Sequence, residues 1–442
     1  MWPYKRATLS SQQNIEARAY SLNDFDSTFF YIKRVFMVLG LRIGPEDPRF
    51  KTFWNIFYLF VFISILLPII LNSCQLIIVL ESGDFDGVLD SFRIIPCIGC
   101  LALALLKTYK VVYERPVFDN LLSVLRSMWP QGVISEEEDE VINKALKKVN
   151  GFSKAYYYCN LVVVIVIVVP WCSDVVRRIF GEEIPRVLPY DYWMPYDPSR
   201  PVLFEITLIM QFSQSVFTAY SLVAGDLLFC VFLSHITIQL DLMSLKIQRL
   251  FDVSVDQQLL DHFPLGKQYN RAKDTGRYTY LTAKEQEIHQ EKQLYKILER
   301  HRVLISLAAD IEKLFSFSLL INFIYSSFVI CFCGFCSVVI EKWNVFVFKT
   351  FLICGLSQTW LLWWSGDRLL EASTGVGVAL YNSGWYTASG RIKKCILFMI
   401  YRSEKSLHVT TYGFSKLSLS SYAVIIKSTW SYFTLLLNFF NK

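Results

Sequence analysis

The last apolar stretch of the chain, "LSLSSYAVIIKSTWSYFTLLLNFFNK", carries four polar residues at helical spacing. Lys427, Ser431, Thr434 and Asn438 stand at i, i+4, i+7 and i+11. On a helix they fall on one face, within about 60° of each other, in a segment otherwise made of Ile, Leu, Phe and Trp. Two chemistries fit that stripe: it lines a water-filled path for ions, or it supplies hydrogen bonds between helices in a dry bundle. The spacing leaves both open.

Catalytic chemistry has no comparable support. The sequence contains no G-x-S-x-G, no phosphate-binding G-x-x-x-x-G-K and no H-E-x-x-H. The G-x-G of "STGVGVAL" lacks a preceding strand and a third glycine. Cys331, Cys333 and Cys336 lie in "SSFVICFCGFCSVVI" with no nearby His or acid, so neither a metal site nor any cofactor is expected. The other cysteines sit mostly inside apolar runs, where Cys serves as a small buried hydrophobe. His235 and His301 are expected to be packed or solvated near span ends. "SEEEDE" reads as a helix start, with Ser135 and Glu138 placed for a capping box. The reading is therefore of a protein that is not an enzyme.

The elements that hold these residues follow from composition. In 442 residues, 53% are hydrophobic, 16% aromatic and only 19% charged, with a mean hydropathy of +0.36. That is too apolar for soluble domains and fits an integral membrane protein. The net charge of +6 is spread between apolar segments without forming a patch, so nucleic-acid binding is not expected. No cleavable signal peptide is expected in the first 52 residues, and the first apolar span should do the targeting.

Seven segments are long enough to cross about 30 Å of hydrocarbon: approximately 53–80, 86–106, 155–176, 202–236, 311–340, 345–367 and 417–440. Pro68, Pro96 and Pro170 fall within spans, where neighbouring helices can satisfy the freed carbonyls. Lys and Arg number 34 in the segments sharing the amino terminus's side and 7 in the alternate ones. The amino terminus is thus expected in the cytoplasm and the carboxyl terminus outside.

The organisation expected is an all-α membrane protein. A cytoplasmic segment (1–52) precedes transmembrane helices one to four (53–236). A cytoplasmic helical connection (237–310) leads to helices five and six (311–367), a second cytoplasmic helical region (368–416) and the final helix (417–442). The connection contains "LTAKEQEIHQEKQLYKILERHRVLISLAADIEKLF", whose apolar residues recur at helical spacing, and it is expected to continue into the fifth span. "SGRIKKCILFMIYRS" is amphipathic and too short to cross. Soluble mass, and with it the contacts between subunits, should lie on the cytoplasmic side.

Several stretches together resemble the insect odorant receptors, over nearly the whole chain from the first span onward. "LPYDYWMPYDPSRPVLFEI" is similar to that family's external segment through Pro195, Tyr196, Asp197, Pro201, Phe204 and Glu205. "AGDLLFCVFLSHITIQLDLM" resembles its Asp, His and Gln run through Asp226, His235 and Gln239. "RHRVLISLAADIEKLFS" is similar to the start of its fifth span. "ALYNSGWYTAS", with Tyr381, Ser383, Trp385 and Tyr386, and the Ser-Tyr-Phe-Thr-Leu-Leu block at 431–436 resemble its carboxyl-terminal signature.

The resemblance implies a ligand-gated, non-selective cation channel in which four subunits surround a pore lined by the last helix. An odorant-tuned subunit would pair with a shared co-receptor; this chain lacks the long cytoplasmic insertion expected of the co-receptor and so resembles the tuning subunit. The gate would map onto Leu435 and Phe439 with Asn438 beside them, and the anchor between subunits onto Tyr381, Trp385 and Tyr386. Leu435 lies about 80° and Phe439 about 120° round the helix from Lys427, which makes the polar stripe a flank of the gate or a subunit contact. Lys427 is expected to snorkel or to pair across subunits.

A small volatile would sit in an apolar pocket in the outer half of the spans, with candidates Phe92, Ile95, Val168, Trp171, Met210, Phe212, Phe348 and Phe351. The plasma membrane of the olfactory neuron dendrite is the expected location. The alternative is a gustatory receptor-type homomeric channel, since "SYFTLLLNFF" is not far from that branch's ending. A G-protein-coupled receptor would need the opposite sidedness, and a transporter would carry far smaller currents.

Overall fold

A computed structural model describes residues 19–42, 50–82, 85–182, 185–190, 193–198, 200–251, 283–339 and 344–440. Helices dominate it. A two-residue strand β1 (Ala19–Tyr20) pairs antiparallel with β2 (Gly132–Val133), followed by short α1 (Leu22–Ser27), capped reciprocally by Ser21 and Asp24, and α2 (Phe30–Val38). Next come α3 (Lys51–Ser82), α4 (Phe85–Tyr113), α5 (Arg115–Ser127), α6 (Glu136–Ile179) and α7 (Pro201–Gln248). The chain closes with α8 (Ala283–Val339), α9 (Asn344–Asn382), a 3-10 turn at Trp385–Thr387, α10 (Gly390–Glu404) and α11 (Leu419–Phe440).

Among the described residues, five helices are long and apolar enough to cross a membrane, within α3, α4, α6, α7 and α8. The remaining two expected spans fall in α9 and α11. Most of these helices exceed the roughly 20 residues a bilayer needs, and the excess projects at one end of the bundle. There α8 runs unbroken for 57 residues, so the amphipathic stretch before the fifth span is the same helix as the span. Ser135 accepts a hydrogen bond from the Glu138 N–H (3.4 Å) and starts α6. Along α3, residues Ile56, Leu59, Phe60, Ile63, Ile70 and Ile77 are exposed. So large an apolar face belongs against lipid.

The helix α7 is the axle. It packs on α2, α3, α4, α6, α8 and α9, and from Val223 to Leu233 every residue is buried, as expected of a helix that is apolar on all sides. At the end of the bundle carrying α1, α2, α5 and α10, here the anchor end, His235 of α7 sits in an aromatic box. Its ring centroid lies 4.4 Å from Phe25, 5.5 Å from Trp129 and 5.7 Å from Phe29, and Thr28 Oγ1 is 2.9 Å from its Nε2. Four residues on, Gln239 accepts a hydrogen bond from Arg300 of α8, whose guanidinium also donates to the Met128 carbonyl at 2.5 Å.

The last helix is hung from α9. Asp367 Oδ1 accepts the Leu419 N–H at 3.1 Å, satisfying one of the orphan donors of a helix start. A Cβ on Gly366 would stand 2.8 Å from the Leu417 carbonyl oxygen, so only glycine lets the segment before α11 pass that close.

Candidate functional site

Three polar regions can be built from these helices. The first is a buried ionic cluster joining α4, α6, α7, α8 and α9. Lys107 Nζ lies 2.6 Å from Asp226 Oδ1, with both side chains 4% exposed. Tyr156 Oη donates to Asp226 Oδ2 at 3.0 Å and Gln358 Nε2 donates to the same oxygen at 2.7 Å. Asn322 Oδ1 accepts from Lys107 (3.2 Å) and Gln358 (3.2 Å). A charge pair so enclosed is tolerated only when hydrogen bonds offset its desolvation, and here Asp226 accepts from three side chains while the Asn322 amide nitrogen is left without a protein partner. The aliphatic stem of Lys107 lies on Gly225, where an added Cβ would meet its Cβ, Cγ and Cδ at 3.1–3.2 Å. A cavity of about 20 Å³, with room for about one water molecule, opens between Lys107, Asp226, Ser318 and Asn322.

Sequence reasoning missed this cluster. Lys107 counts as a topology marker when it is assigned to the connection after the second span, whereas it lies inside the bundle six residues before α4 ends. Moving it leaves the charge asymmetry intact. The signal available in the sequence was the pairing of a mid-helix Lys with the Asp226 of "AGDLLF".

The second region is a polar stripe along α7. Thr207, Gln211, Gln214, Thr218 and Ser221 recur at i, i+4, i+7, i+11 and i+14, on one face within about 80°, and all are buried. The stripe runs from the loop end of the bundle, where the described residues of the loop between α6 and α7 lie, down to Gly225 and Lys107. At its outer end the loop folds onto it. Gln211 accepts the Tyr190 N–H (3.2 Å) and donates to the Tyr190 carbonyl (2.9 Å), and Tyr190 Oη is 3.0 Å from Ser215 Oγ. Tyr196 Oη lies 2.7 Å from Thr207 Oγ1. Arg178 at the end of α6 stacks over Phe204 (4.6 Å) and approaches Glu205 (3.6 Å), so the motif that opens α7 is a clamp between α6 and α7.

None of the described pocket candidates lines the cavity beside Lys107 or a second, larger one. Ile95 is 42% exposed and faces away from the bundle, while Val168, Trp171, Met210, Phe212 and Phe351 are half-buried. The side chains of Phe92 and Phe348 lie outside the described residues. The larger cavity, about 90 Å³, is at the anchor end between α2, α3, α4, α5 and α7, bordered by Arg42, Trp54, Tyr58 and Phe118.

The third region is α11. Ile425 and Thr429 are buried against the bundle, whereas Lys427, Ser431 and Asn438 are exposed, Thr434 is half-buried and Leu435 is 67% exposed. Ser431 Oγ donates to the Lys427 carbonyl (3.1 Å) and Thr434 Oγ1 to the Ser431 carbonyl (2.9 Å). Those bonds stay within the helix and tie it to no neighbour. Phe439's side chain lies outside the described residues. Of the residues expected to form an anchor, Tyr381 and Tyr386 are each 70% exposed, and Trp385 is half-buried against the core. Phe398 and Tyr401 of α10 are exposed as well.

A helical bundle of long apolar spans, with a projecting helical end and a last helix whose polar stripe is turned outward, defines a multi-pass membrane protein. Residues 89–430 match the family model described as 7tm Odorant receptor, and the chain belongs to that family. Odorant receptor 85b of Drosophila melanogaster is 23% identical over 427 residues, covering 93% of this chain and 97% of that protein. Odorant receptor 67c of the same insect is 23% identical over 359 residues, covering 80% and 81%. The solved structure of the insect olfactory receptor OR5 from Machilis hrabei in complex with eugenol superposes with a TM-score of 0.74 at 14% identity. It covers 94% of this chain and 99% of that one, so the fold is that of an insect olfactory receptor.

Proposed function

We infer that the chain is an odorant-tuned subunit of a ligand-gated, non-selective cation channel, binding a small volatile in the loop-end half of the bundle and opening a central pore with a co-receptor. The observation that carries this reading is the last helix. In a chain that satisfies the charges of its interior, α11 leaves Lys427, Ser431 and Asn438 exposed, as a helix does when its partners are water and other subunits. Leu435 on the outward side is placed to close such a path by dewetting, with Asn438 and Phe439 one turn further on.

Four such subunits would meet through the anchor. Tyr381, Trp385 and Tyr386, with the exposed Phe398 and Tyr401, form the kind of aromatic surface enriched in interface cores. The amino terminus lies in the cytoplasm and the carboxyl terminus outside in this reading, in the plasma membrane of the olfactory neuron dendrite. That OR5 of Machilis hrabei holds eugenol supports a small organic ligand for this fold.

The test is whole-cell recording from cells expressing the chain with and without an odorant co-receptor, against a panel of volatile esters, alcohols, terpenoids and aromatics. An odorant-evoked cation current seen only with the co-receptor is expected. Current from the chain alone would instead make it a homomeric channel of gustatory type, and silence with both subunits at the cell surface would overturn the channel reading.

A further inference from the structure

The outer end of the α7 stripe holds a group that behaves as a ligand. Tyr190 comes from the loop between α6 and α7, and its backbone is gripped by both ends of the Gln211 amide. Its phenol reaches Ser215 with Cys97 and Cys100 of α4 nearby. The direction of the Tyr190–Ser215 bond follows from the neighbouring bond. Ser215 Oγ donates its proton to the Gln211 carbonyl at 2.8 Å, so it accepts from the Tyr190 O–H. Ser215 is therefore a buried acceptor, and a partner must bring a proton to it.

Two further hydroxyls lie inward of it on α7, Thr218 about 60° and Ser221 about 120° round the helix from Ser215. Thr218 and Ser221 are 8% and 0% exposed, and the oxygen of each has no hydrogen-bond partner. Thr207 and Ser215, by contrast, bond back to the carbonyl four residues earlier. At about 1.5 Å per residue, Thr218 lies roughly 4.5 Å and Ser221 roughly 9 Å inward of Ser215. Buried hydroxyls without partners are costly and are expected to be filled, and the phenol of Tyr190 already reaches in from the loop to the Ser215 hydroxyl above them.

We propose that Ser215, with Thr218 one turn below it, is the hydroxyl-recognising part of the odorant site, that its ligands are hydroxyl-bearing aromatic volatiles, and that the Tyr190 phenol occupies the place in their absence. The proposal rests on the reading of the loop-end half of the bundle as the odorant site. The tyrosine side chain is itself a para-alkyl phenol, so a free para-substituted phenol offers Ser215 the same donor. A methyl ether of the same shape has no proton to give.

The experiment is ligand-induced thermal stabilisation of the purified full-length chain, titrated with para-ethylphenol and with para-ethylanisole. The phenol is expected to bind about tenfold more tightly than the ether, the difference one hydrogen bond makes. Ser215→Ala should bring the two within about twofold by weakening the phenol alone, while Tyr190→Phe should tighten the phenol several-fold by removing its competitor. Thr218→Val should weaken the phenol, and the unfolding trace of each variant reports directly whether it folds. Equal affinity for phenol and ether in the unmodified chain, or a preference that survives Ser215→Ala, would overturn the proposal. Currents recorded from the same variants separate the two readings: discrimination in binding without any gated current strikes the channel and leaves this site standing, whereas gated currents indifferent to the hydroxyl strike this site alone.

Discussion

Two helices carry the same polar spacing and treat it in opposite ways. Thr207, Gln211, Gln214 and Thr218 on α7 stand at i, i+4, i+7 and i+11, and so do Lys427, Ser431, Thr434 and Asn438 on α11. On α7 every one is buried, the outer members fastened to the loop, and the face leads into an ion pair shared by five helices. On α11 three are exposed and one is half-buried, with their hydroxyls bonded only to their own backbone. A stripe that finds its partners inside the chain belongs to the fold and its ligand. A stripe that finds none awaits water or another subunit.

The contrast can be broken most severely at the ion pair. Asp226→Ala leaves Lys107 buried without its counter-ion, a change that typically costs about 3–5 kcal/mol, and should abolish a cooperative unfolding transition and delivery to the cell surface. The double variant Lys107→Met with Asp226→Leu is expected to recover most of the lost stability, because an apolar pair of similar volume replaces two charges that no longer need solvation. A double-mutant cycle that came out additive would mean the two residues act independently.

Gly366→Ala comes next. The methyl group would press on the Leu417 backbone, which has no side-chain rotamer to yield, and overpacking of this kind costs about 1–3 kcal/mol. Displacing that segment also pulls the Leu419 N–H from Asp367. The expected outcome is a lowered unfolding midpoint together with altered gating, since α11 hangs from this point. A variant with normal stability and unchanged currents would show that the helix is held elsewhere.

Substitutions on the outward face of α11 should do the reverse, leaving stability within about 0.5 kcal/mol, as surface positions do, while changing conduction. Leu435→Asn is expected to raise the unstimulated current by wetting the closed path, and the ratio of resting to odorant-evoked current measures it. Lys427→Glu with unchanged permeability and assembly would remove any role for that charge.

How much of this was legible depends on whether a residue's job is set by its own helix or by a neighbour. The spans, the continuous α8 and the stripe on α11 follow from periodicity within one segment. The stripe on α7 was equally open to that test, and its spacing is the signal that would have found it. Lys107 is different, for its role is fixed by Tyr156, Asp226, Asn322 and Gln358, residues up to 251 positions away in the sequence. Tyr190 likewise reads as an external loop tyrosine until the loop folds back on Gln211. Resemblance flagged Asp226, His235 and Gln239 without saying why. The structure supplies the reason, since each ties α7 to a different neighbour: the ion-pair helices, the amino-terminal aromatic box and α8.

The smallest effect expected lies at the anchor end, and it tests whether that end behaves as a soluble core. His301 of α8 is 6% exposed, and burial, assisted by the positive charge of Arg402, pushes its pKa below the ordinary 6.5. The folded chain therefore holds this ring neutral where the unfolded chain would protonate it. Above pH 6.5 both states are neutral and the site contributes nothing. As the pH falls below 6.5 the unfolded state gains a proton that the folded state refuses, and stability declines until the folded pKa is reached. The midpoint of thermal unfolding should fall more steeply between pH 7 and pH 5.5 in the unmodified chain than in His301→Gln, by about 1–2 °C in a chain of this length. Identical slopes would mean that the anchor opens to solvent around α8 before the bundle unfolds, so that the helical end and the membrane core are separate cooperative units.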